Sequence, residues 1–492
     1  MWCGILAQPK NTMPIPLDLP PVENPKIDES HINRRFVWKV AFIAAMGGLL
    51  FGYDFMVIGG ATIFYEKCFN LVGRPDLLGF SIASAPIGCV LGAIGSMFFS
   101  DLYGRKKLLI LSAVLFGVSA VGTAAAWSFV SFNVFRIIGG MGIGLAANLS
   151  PMYIAEISPT SYRGRVVTTN QLTIMIGILI SQIVNLCIQQ YGEKIGLSGS
   201  GLTWNETSGW RWMFGAMAIP AVGFFLLIFI LPESPRWLIK KGRRQEAEAV
   251  LARVGGENYA KAESADISST ISESEVGRVN FRELFEPRLF KIILLGMFLT
   301  LVQQWSGLNS IFAYSHQIFK EAGFGVSGAM LSLVFQGVTL LVFCIVAMFV
   351  VDLVGRKKLM LIGTLGISII HLLIGLSFHY HMTGILVVIL VMLAIAVYSM
   401  TLAPIMWVLL SELFPNRVRG LALGISVVTC WIAYLILTYT FPIMHETVGT
   451  AKTFWVYSAF LFVAFIVLCF ALPETKGKSL EQIERDLIGK RN

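Results

Sequence analysis

Hydrophobic residues run through this 492-residue chain in long, nearly unbroken stretches separated by short polar loops. They fall near 39–63, 80–100, 108–127, 131–153, 168–189 and 211–231, then near 290–317, 327–351, 359–377, 384–411, 420–441 and 454–472. The hydrocarbon core of a bilayer is about 30 Å thick, so a spanning helix needs about 20 apolar residues. These stretches have that length and are too long for the buried helices of a water-soluble domain. The pattern predicts an all-α membrane protein with twelve transmembrane helices, six and six.

Polar segments repeat along with the apolar ones. Asp101-Leu-Tyr-Gly-Arg-Lys-Lys107 returns as Asp352-Leu-Val-Gly-Arg-Lys-Lys358. Glu156, Pro159, Arg163 and Gly164 recur at the same spacing as Glu412, Pro415, Arg419 and Gly420. Pro232-Glu-Ser is echoed by Pro473-Glu-Thr. Three echoes in register mark a duplication, a common construction in secondary transporters. The expected parts are a tail over 1–38, a six-helix half over 39–231, a linker over 232–289, a second half over 290–472 and a tail over 473–492. Within the linker, Arg243-Arg244-Gln-Glu-Ala-Glu-Ala-Val-Leu reads as a short amphipathic helix. The Ser/Glu-rich segment 263–276 reads as loop. Together they predict a small cytoplasmic helical subdomain.

Composition sharpens the class. The chain is 55% hydrophobic and only 14% charged, against roughly 25% charge in soluble domains. Its net charge of +9 is concentrated in alternate loops: Arg105 to Lys107, Arg163 with Arg165, Arg236 to Arg244, Arg356 to Lys358, and Arg417 with Arg419. Both tails are basic as well, at Arg34-Arg35 and Lys490-Arg491. By the positive-inside rule these loops and both termini are cytoplasmic. The charge then serves topology and anionic lipid headgroups, and no nucleic-acid module is present. The first 35 residues lack the pattern of a signal peptide, so the first helix is expected to target the chain itself.

The seven cysteines are scattered without a CxxC or Cys/His cluster, which argues against a disulfide framework or a metal site. No nucleophile, acid–base pair or cofactor motif stands out, so an enzyme is not expected. The Gly-rich run 139–144 lies inside an apolar stretch and reads as close helix packing, not phosphate binding. Asn205-Glu-Thr207 is a glycosylation sequon on an expected external loop, of consequence only in a eukaryotic host.

Several ordered motifs carry a family likeness over about residues 39–485. They are Gly-Arg-Lys in both halves, Pro232-Glu-Ser-Pro-Arg-Trp-Leu238, Arg136-Ile-Ile-Gly-Gly-Met-Gly-Ile-Gly144, Gln303-Gln-Trp-Ser-Gly-Leu-Asn309 and Pro473-Glu-Thr-Lys-Gly. On these the chain resembles the sugar porter branch of the major facilitator superfamily, most of all its bacterial proton-coupled monosaccharide symporters. The resemblance implies two pseudo-symmetric six-helix halves in a plasma membrane, with the bacterial inner membrane favoured. It implies a pentose or hexose substrate, D-xylose foremost, a proton as coupling ion, no cofactor, and a carrier that works as a monomer in the lipid bilayer.

An ionised side chain inside the bilayer is costly, at least about 2.5–3.5 kcal/mol on insertion scales, and usually has a role and a partner. Asp54 in the first helix and Arg136 in the fourth are the candidate proton acceptor and its partner, as at these places in the resembled symporters. A static buried ion pair is the other reading. Sugars need hydroxyl partners and an apolar face, which amides and aromatics supply without burying charge. The candidates are Phe51, Gln171, Gln303, Gln304, Asn309, Tyr314, Trp407, Cys430 and Trp431, with packing or interhelical hydrogen bonding as the alternative for each. Gln303, Asn309 and Tyr314 cannot share one straight helical face, so a break near Gly307 is expected.

The likeness departs from the family around this pocket. Cys430 stands where relatives place an amide and Tyr434 where they often have asparagine. Ala313 replaces the first of a tyrosine pair, leaving Tyr314 as the expected outer gate, and Ala403 stands for glycine near the bend at Pro404.

Opening and closing are expected to lie in the repeated charges, as in the family's cytoplasmic latch: Asp101, Arg105, Glu156 and Arg163 in one half, Asp352, Arg356, Glu412 and Arg419 in the other. Glu233, Arg236 and Glu474 are expected to tie the cytoplasmic helices to it. Topology enforcement alone is the other reading of these charges. A facilitative sugar or polyol uniporter of the same fold, and a sugar sensor that does not transport, are the alternatives to a symporter.

Overall fold

The computed structural model describes residues 32–197, 202–276, 284–382, 384–415, 418–476 and 482–483, without the side chains of 270–276, Asp352, Arg419 and Gly420. Seventeen α-helices follow one another among the described residues. The first half holds α1 (Arg34–Cys68), α2 (Pro75–Tyr103), α3 (Arg105–Ala124), α4 (Phe129–Ile157), α5 (Arg163–Ile195), α6 (Trp210–Gly215) and α7 (Ala218–Ile228). Between the halves lie α8 (Pro235–Lys240) and α9 (Arg244–Val276). The second half holds α10 (Pro287–Gln304), α11 (Leu308–Glu321), α12 (Val326–Val354), α13 (Arg356–His379), α14 (Ile385–Met400), α15 (Leu402–Leu413), α16 (Arg419–Val448) and α17 (Thr450–Ala471). They make twelve segments long and apolar enough to cross a membrane, because α6 with α7, α10 with α11, and α14 with α15 each form one span.

Each interruption has a local cause. Pro404 cannot donate a hydrogen bond to the carbonyl four residues back and its ring crowds that turn. The chain accordingly breaks at Thr401 (φ −124°, ψ −87°), whose hydroxyl donates to the Val397 carbonyl at 2.6 Å. The break between α10 and α11 turns on Gly307 in the left-handed region, φ +82°. The sixth span begins in a π-helical turn, Asn205–Gly209. There Asn205 is buried, and its Nδ2 donates to the Gln189 carbonyl at 2.9 Å. The sequon asparagine is therefore packed inside the fold and closed to a glycosylating enzyme.

Small residues let the helices approach. A Cβ on Gly140 would lie 1.9 Å from the Ala85 carbonyl oxygen, and one on Gly88 would lie 2.0 Å from that of Ile137. The Gly-rich run of α4 thus packs against α2, where lipid offers no hydrophobic drive and close van der Waals contact supplies the association. The two halves meet where α1 packs on α11, α2 on α16 and α5 on α12.

The linker differs from the expectation of a loop at 263–276. Helix α9 runs through to Val276, kinked at Gly256 (φ +85°). Beyond the kink Tyr259, Ala260, Glu263 and Ser264 are buried on one face. A face built of small and polar residues does not register as hydrophobic periodicity. The subdomain also holds the start of α1, through the Asn33 N–H to Val254 carbonyl bond at 2.7 Å and Arg253 over the Phe36 ring.

Candidate functional site

The central charges meet. Arg136 Nη1 on α4 donates to Asp54 Oδ1 on α1 at 2.5 Å, with side-chain exposures of 2% and 0%. The guanidinium also lies 5.3 Å from the centre of the Phe214 ring, a cation–π contact that strengthens away from water. Asp54 Oδ2 and Arg136 Nε have no hydrogen-bond partner. One carboxylate oxygen therefore carries the ion pair, and the other faces Gly139 without a donor. A narrow cleft reaches the pair between α1, α2, α4 and α16, walled by Phe55, Ile58, Ile82, Cys89, Arg136 and Tyr434.

Aromatic rings join the halves beside this pair. Phe51 lies 5.8 Å from both Phe55 and Trp431, Trp431 lies 6.3 Å from Tyr434, and Tyr434 stacks on Phe55 at 5.0 Å. The four rings close a circuit whose α1 members flank Asp54. Amides gather next to it because the α10–α11 break turns them to one place. Gln303 Nε2 donates to the Tyr398 hydroxyl at 2.7 Å, Gln304 Nε2 donates to the Cys430 sulfur, and Asn309 Nδ2 donates to Gln304 Oε1. Gln303 Oε1 is buried without a donor, an acceptor free for a hydroxylated ligand. Tyr314 is fully buried, stacked on Phe441 at 4.6 Å, with its hydroxyl donating to the Thr438 carbonyl at 2.7 Å.

Two pocket candidates take no part in these hydrogen bonds and ring contacts. Gln171 on α5 is partly exposed. Trp407 on α15 is 42% exposed and belongs to none of the aromatic contacts above. Conversely, Tyr398 and Phe55 join the site although neither was singled out from the sequence. The buried amides Gln182, Asn185 and Gln189 on α5 and Gln336 on α12 were missed as well. Their signal was present, since 182, 185 and 189 share one helical face inside an apolar run.

The repeated charged motifs build the same corner in each half. Gly104 and Gly355 precede α3 and α13 with φ of +94° and +102°, and neither helix has a side-chain N-cap of its own. A carboxylate from the end of the half supplies it. Glu233 Oε1 accepts the N–H groups of Arg105 and Lys106, both at 3.0 Å, and that of Ser234 at 2.9 Å. Glu474 Oε1 accepts those of Arg356, Thr475 and Lys476, each at 3.1 Å. In return Lys106 Nζ donates to the Phe229 carbonyl at 3.0 Å and Lys357 Nζ to that of Cys469 at 2.9 Å. Helix starts and helix ends are thus capped reciprocally, with the sign of charge each end attracts.

Side-chain pairs extend these corners. Arg105 binds Asp101 at 3.1 Å and Glu156 at 2.9 Å, Lys240 binds Asp101 at 2.7 Å, and Ser234 donates to Glu156 at 2.5 Å. Arg356 pairs with Glu412 at 3.3 Å. Arg163 does not join its cluster, contrary to expectation. It folds back on its own turn, donating to the Ser158 carbonyl and the Thr160 hydroxyl, both at 3.3 Å. Arg236 is exposed. The side chains of Asp352 and Arg419 lie outside the described residues.

Partial burial pushes the Glu474 carboxyl up, but the backbone N–H groups of Lys476, Lys357, Arg356 and Thr475 together hold it below its ordinary value of 4.5. A carboxyl more acidic in the folded than in the unfolded chain stabilises above the unfolded value and loses that contribution as pH falls through the folded one. The thermal midpoint is therefore expected to owe a constant increment to Glu474 from pH 8 to 5 and to shed it below about pH 4.5. Glu474→Gln should lower the midpoint at pH 7 and flatten that acid limb. A variant whose acid limb matches the wild type would refute the role of the cap.

Comparison with known proteins agrees with this architecture. The family model for "Sugar (and other) transporter" matches residues 40–487. The arabinose-proton symporter of Bacillus subtilis (strain 168) is 37% identical over 477 residues, 97% of this chain and 99% of that protein. The D-xylose-proton symporter of Escherichia coli (strain K12) is 36% identical over 484 residues, 92% and 96% of the two chains. The partially occluded inward open conformation of the xylose transporter XylE from E. coli superposes with a TM-score of 0.80 at 33% identity, over 90% of this chain and 100% of that one. XylE bound to 6-bromo-6-deoxy-D-glucose gives 0.76 at 34% identity, over 92% and 100%. The fold is that of the major facilitator superfamily, and the protein is a multi-pass membrane protein of a transporter class, not an enzyme. The chain belongs to the sugar (and other) transporter family.

Proposed function

We propose that this protein imports a monosaccharide together with a proton by alternating access, the two halves rocking about a site between them. The observation that carries the reading is the dry Asp54–Arg136 pair, one of whose carboxylate oxygens has no donor. A carboxylate so placed alternates between paired and protonated states, and the aromatic circuit of Phe55, Tyr434 and Trp431 lies between it and the amide-lined pocket. That pocket has hydroxyl partners in Gln303, Gln304 and Asn309 and an apolar wall in Phe51 and Trp431. The names of the relatives, proton symporters of arabinose and of D-xylose, support a pentose, with D-xylose favoured.

The basic loops and both termini are placed in the cytoplasm on the positive-inside rule, in a bacterial inner membrane, and the protein acts as a monomer. The duplicated corners are the cytoplasmic latch. A solvated ion pair contributes only about 0–1 kcal/mol, so the latch works as a capped, partly dry network of Arg105, Asp101, Glu156 and Glu233.

Protein reconstituted in liposomes, given labelled D-xylose, L-arabinose or D-glucose with and without an inward proton gradient, tests the reading. Gradient-dependent accumulation above equilibrium is the expected result. Equilibration without accumulation would make the protein a facilitative carrier with a static Asp54–Arg136 pair.

A further inference from the structure

Outward of the central pocket lies a second group of polar side chains that the proposed cycle does not use. Gln182, Asn185 and Gln189 line one face of α5 at i, i+3 and i+7 and are 2%, 0% and 0% exposed. That face meets α1 of its own half and α12 of the other, not lipid. Gln182 Oε1 lies against Gly337 of α12, where a Cβ would come within 2.0 Å. Asn185 Nδ2 donates to the Val57 carbonyl of α1 at 3.1 Å and fills the space over Gly60. From the second half come Gln336 of α12, which accepts a hydrogen bond from Ser315 at 3.1 Å, and His316 of α11, buried with both ring nitrogens unpartnered, one turn beyond Phe312, whose carbonyl packs against Gly59 of α1. These contacts run from α5 to α1, α11, α12 and back to α5, closing a ring built from both halves.

The ring is under-partnered. Both amide atoms of Gln182, Oδ1 of Asn185, Oε1 of Gln189 and Nε2 of Gln336 are buried with no hydrogen-bond partner. Amides that merely glue helices together find partners, whereas these keep both donors and acceptors unspent. Buried polar atoms of this kind call for an occupant. No carboxylate or guanidinium belongs to the ring, so the chemistry it offers is that of neutral hydroxyl groups. His316 lies seven residues beyond Asn309 on α11, about 10 Å at helical rise and past a kink at Tyr314 (φ −118°, ψ 21°), a separation that calls for a second sugar ring and not a larger first one. Parting of the halves on the outer side separates α1 from α11 and α5 from α12 and opens the ring to the outer mouth, where Gln189 and Glu193 meet Ser327.

We propose that Gln182, Asn185, Gln336 and His316 form an outer hydroxyl-binding site that engages a sugar ring on the external side of the central pocket. The site rests on the transport reading above. A two-ring ligand reaching from the pocket into this site is the probe, with β-1,4-xylobiose tested against uptake of labelled D-xylose or L-arabinose. In right-side-out vesicles external xylobiose is expected to inhibit competitively, and in inside-out vesicles to inhibit at least tenfold more weakly.

Gln182→Met and Gln336→Met keep side-chain length while removing the polar atoms. Each is expected to raise the xylobiose inhibition constant about tenfold, the worth of roughly one lost hydrogen-bonding group. The kcat/KM of the monosaccharide should fall no more than about threefold. A wild type that xylobiose does not inhibit from outside overturns the site. So do variants that leave its inhibition constant unchanged, or that lose monosaccharide flux as steeply as inhibition. A wild type that moves neither monosaccharide refutes the transport reading itself, before any variant is compared.

Discussion

Asp54→Asn is expected to bring gradient-driven accumulation of sugar down to the equilibrium level while exchange of sugar across the membrane continues within a few-fold of the wild-type rate. Asparagine keeps the size of the side chain and an oxygen for Arg136 Nη1, so the 2.5 Å contact between α1 and α4 has a neutral substitute. It removes the one event that ties the cycle to a proton, the passage of a buried carboxylate between charged and neutral forms. The amides of the pocket, on α10 and α11, and the Phe51 and Trp431 rings keep their own side chains.

Removing one member of a buried ion pair costs about 3–5 kcal/mol when the remaining charge has nowhere to go. Arg136 keeps the Phe214 ring at 5.3 Å, so the thermal midpoint should fall without loss of the fold. Liposomes measured with and without the gradient, beside counterflow under no gradient, separate the two effects. Accumulation that survives the substitution would remove Asp54 from coupling.

The halves and the spans were readable because lipid leaves the strongest mark a sequence can carry. Apolar runs of membrane length recur, and the charged corners recur with them. The pair Asp54 and Arg136 was readable for the same reason, as ionised residues inside such runs. What failed depends on direction and local partners. Arg163 looks like Arg419 in spacing, yet its guanidinium is within reach of the Ser158 carbonyl in its own turn and takes that bond. The polar helix beyond Gly256 carries little hydrophobic periodicity, because Ala260 and Ser264 pack as small residues. The amide stripe of α5 shows only in the face that its few polar residues share, not in the length of the apolar run.

Gly307→Ala is expected to weaken sugar binding at least tenfold, more than removal of any one pocket amide. Gly307 holds φ at +82°, a conformation that costs an L-residue roughly 1–2 kcal/mol. The added Cβ would also lie 2.9 Å from His371 Nε2 and 2.9 Å from the Tyr457 ring. Both neighbours are buried, and neither is the loose end of a flexible chain. His371 Nε2 holds the Ser306 carbonyl at 2.7 Å, and Tyr457 shares a hydrogen bond with Ser310 at 3.2 Å, so yielding to the methyl group loosens both flanks of the break. If the chain instead straightens through 305–307, Asn309 rotates away from Gln304 and the amides no longer converge. Either response acts on the pocket and leaves the Asp54–Arg136 pair alone. Quenching of tryptophan fluorescence by D-xylose in purified protein reads the affinity, with Asp54→Asn as the control expected to bind within a few-fold of wild type. Equal affinity in wild type and Gly307→Ala would mean that the break does not shape the sugar site.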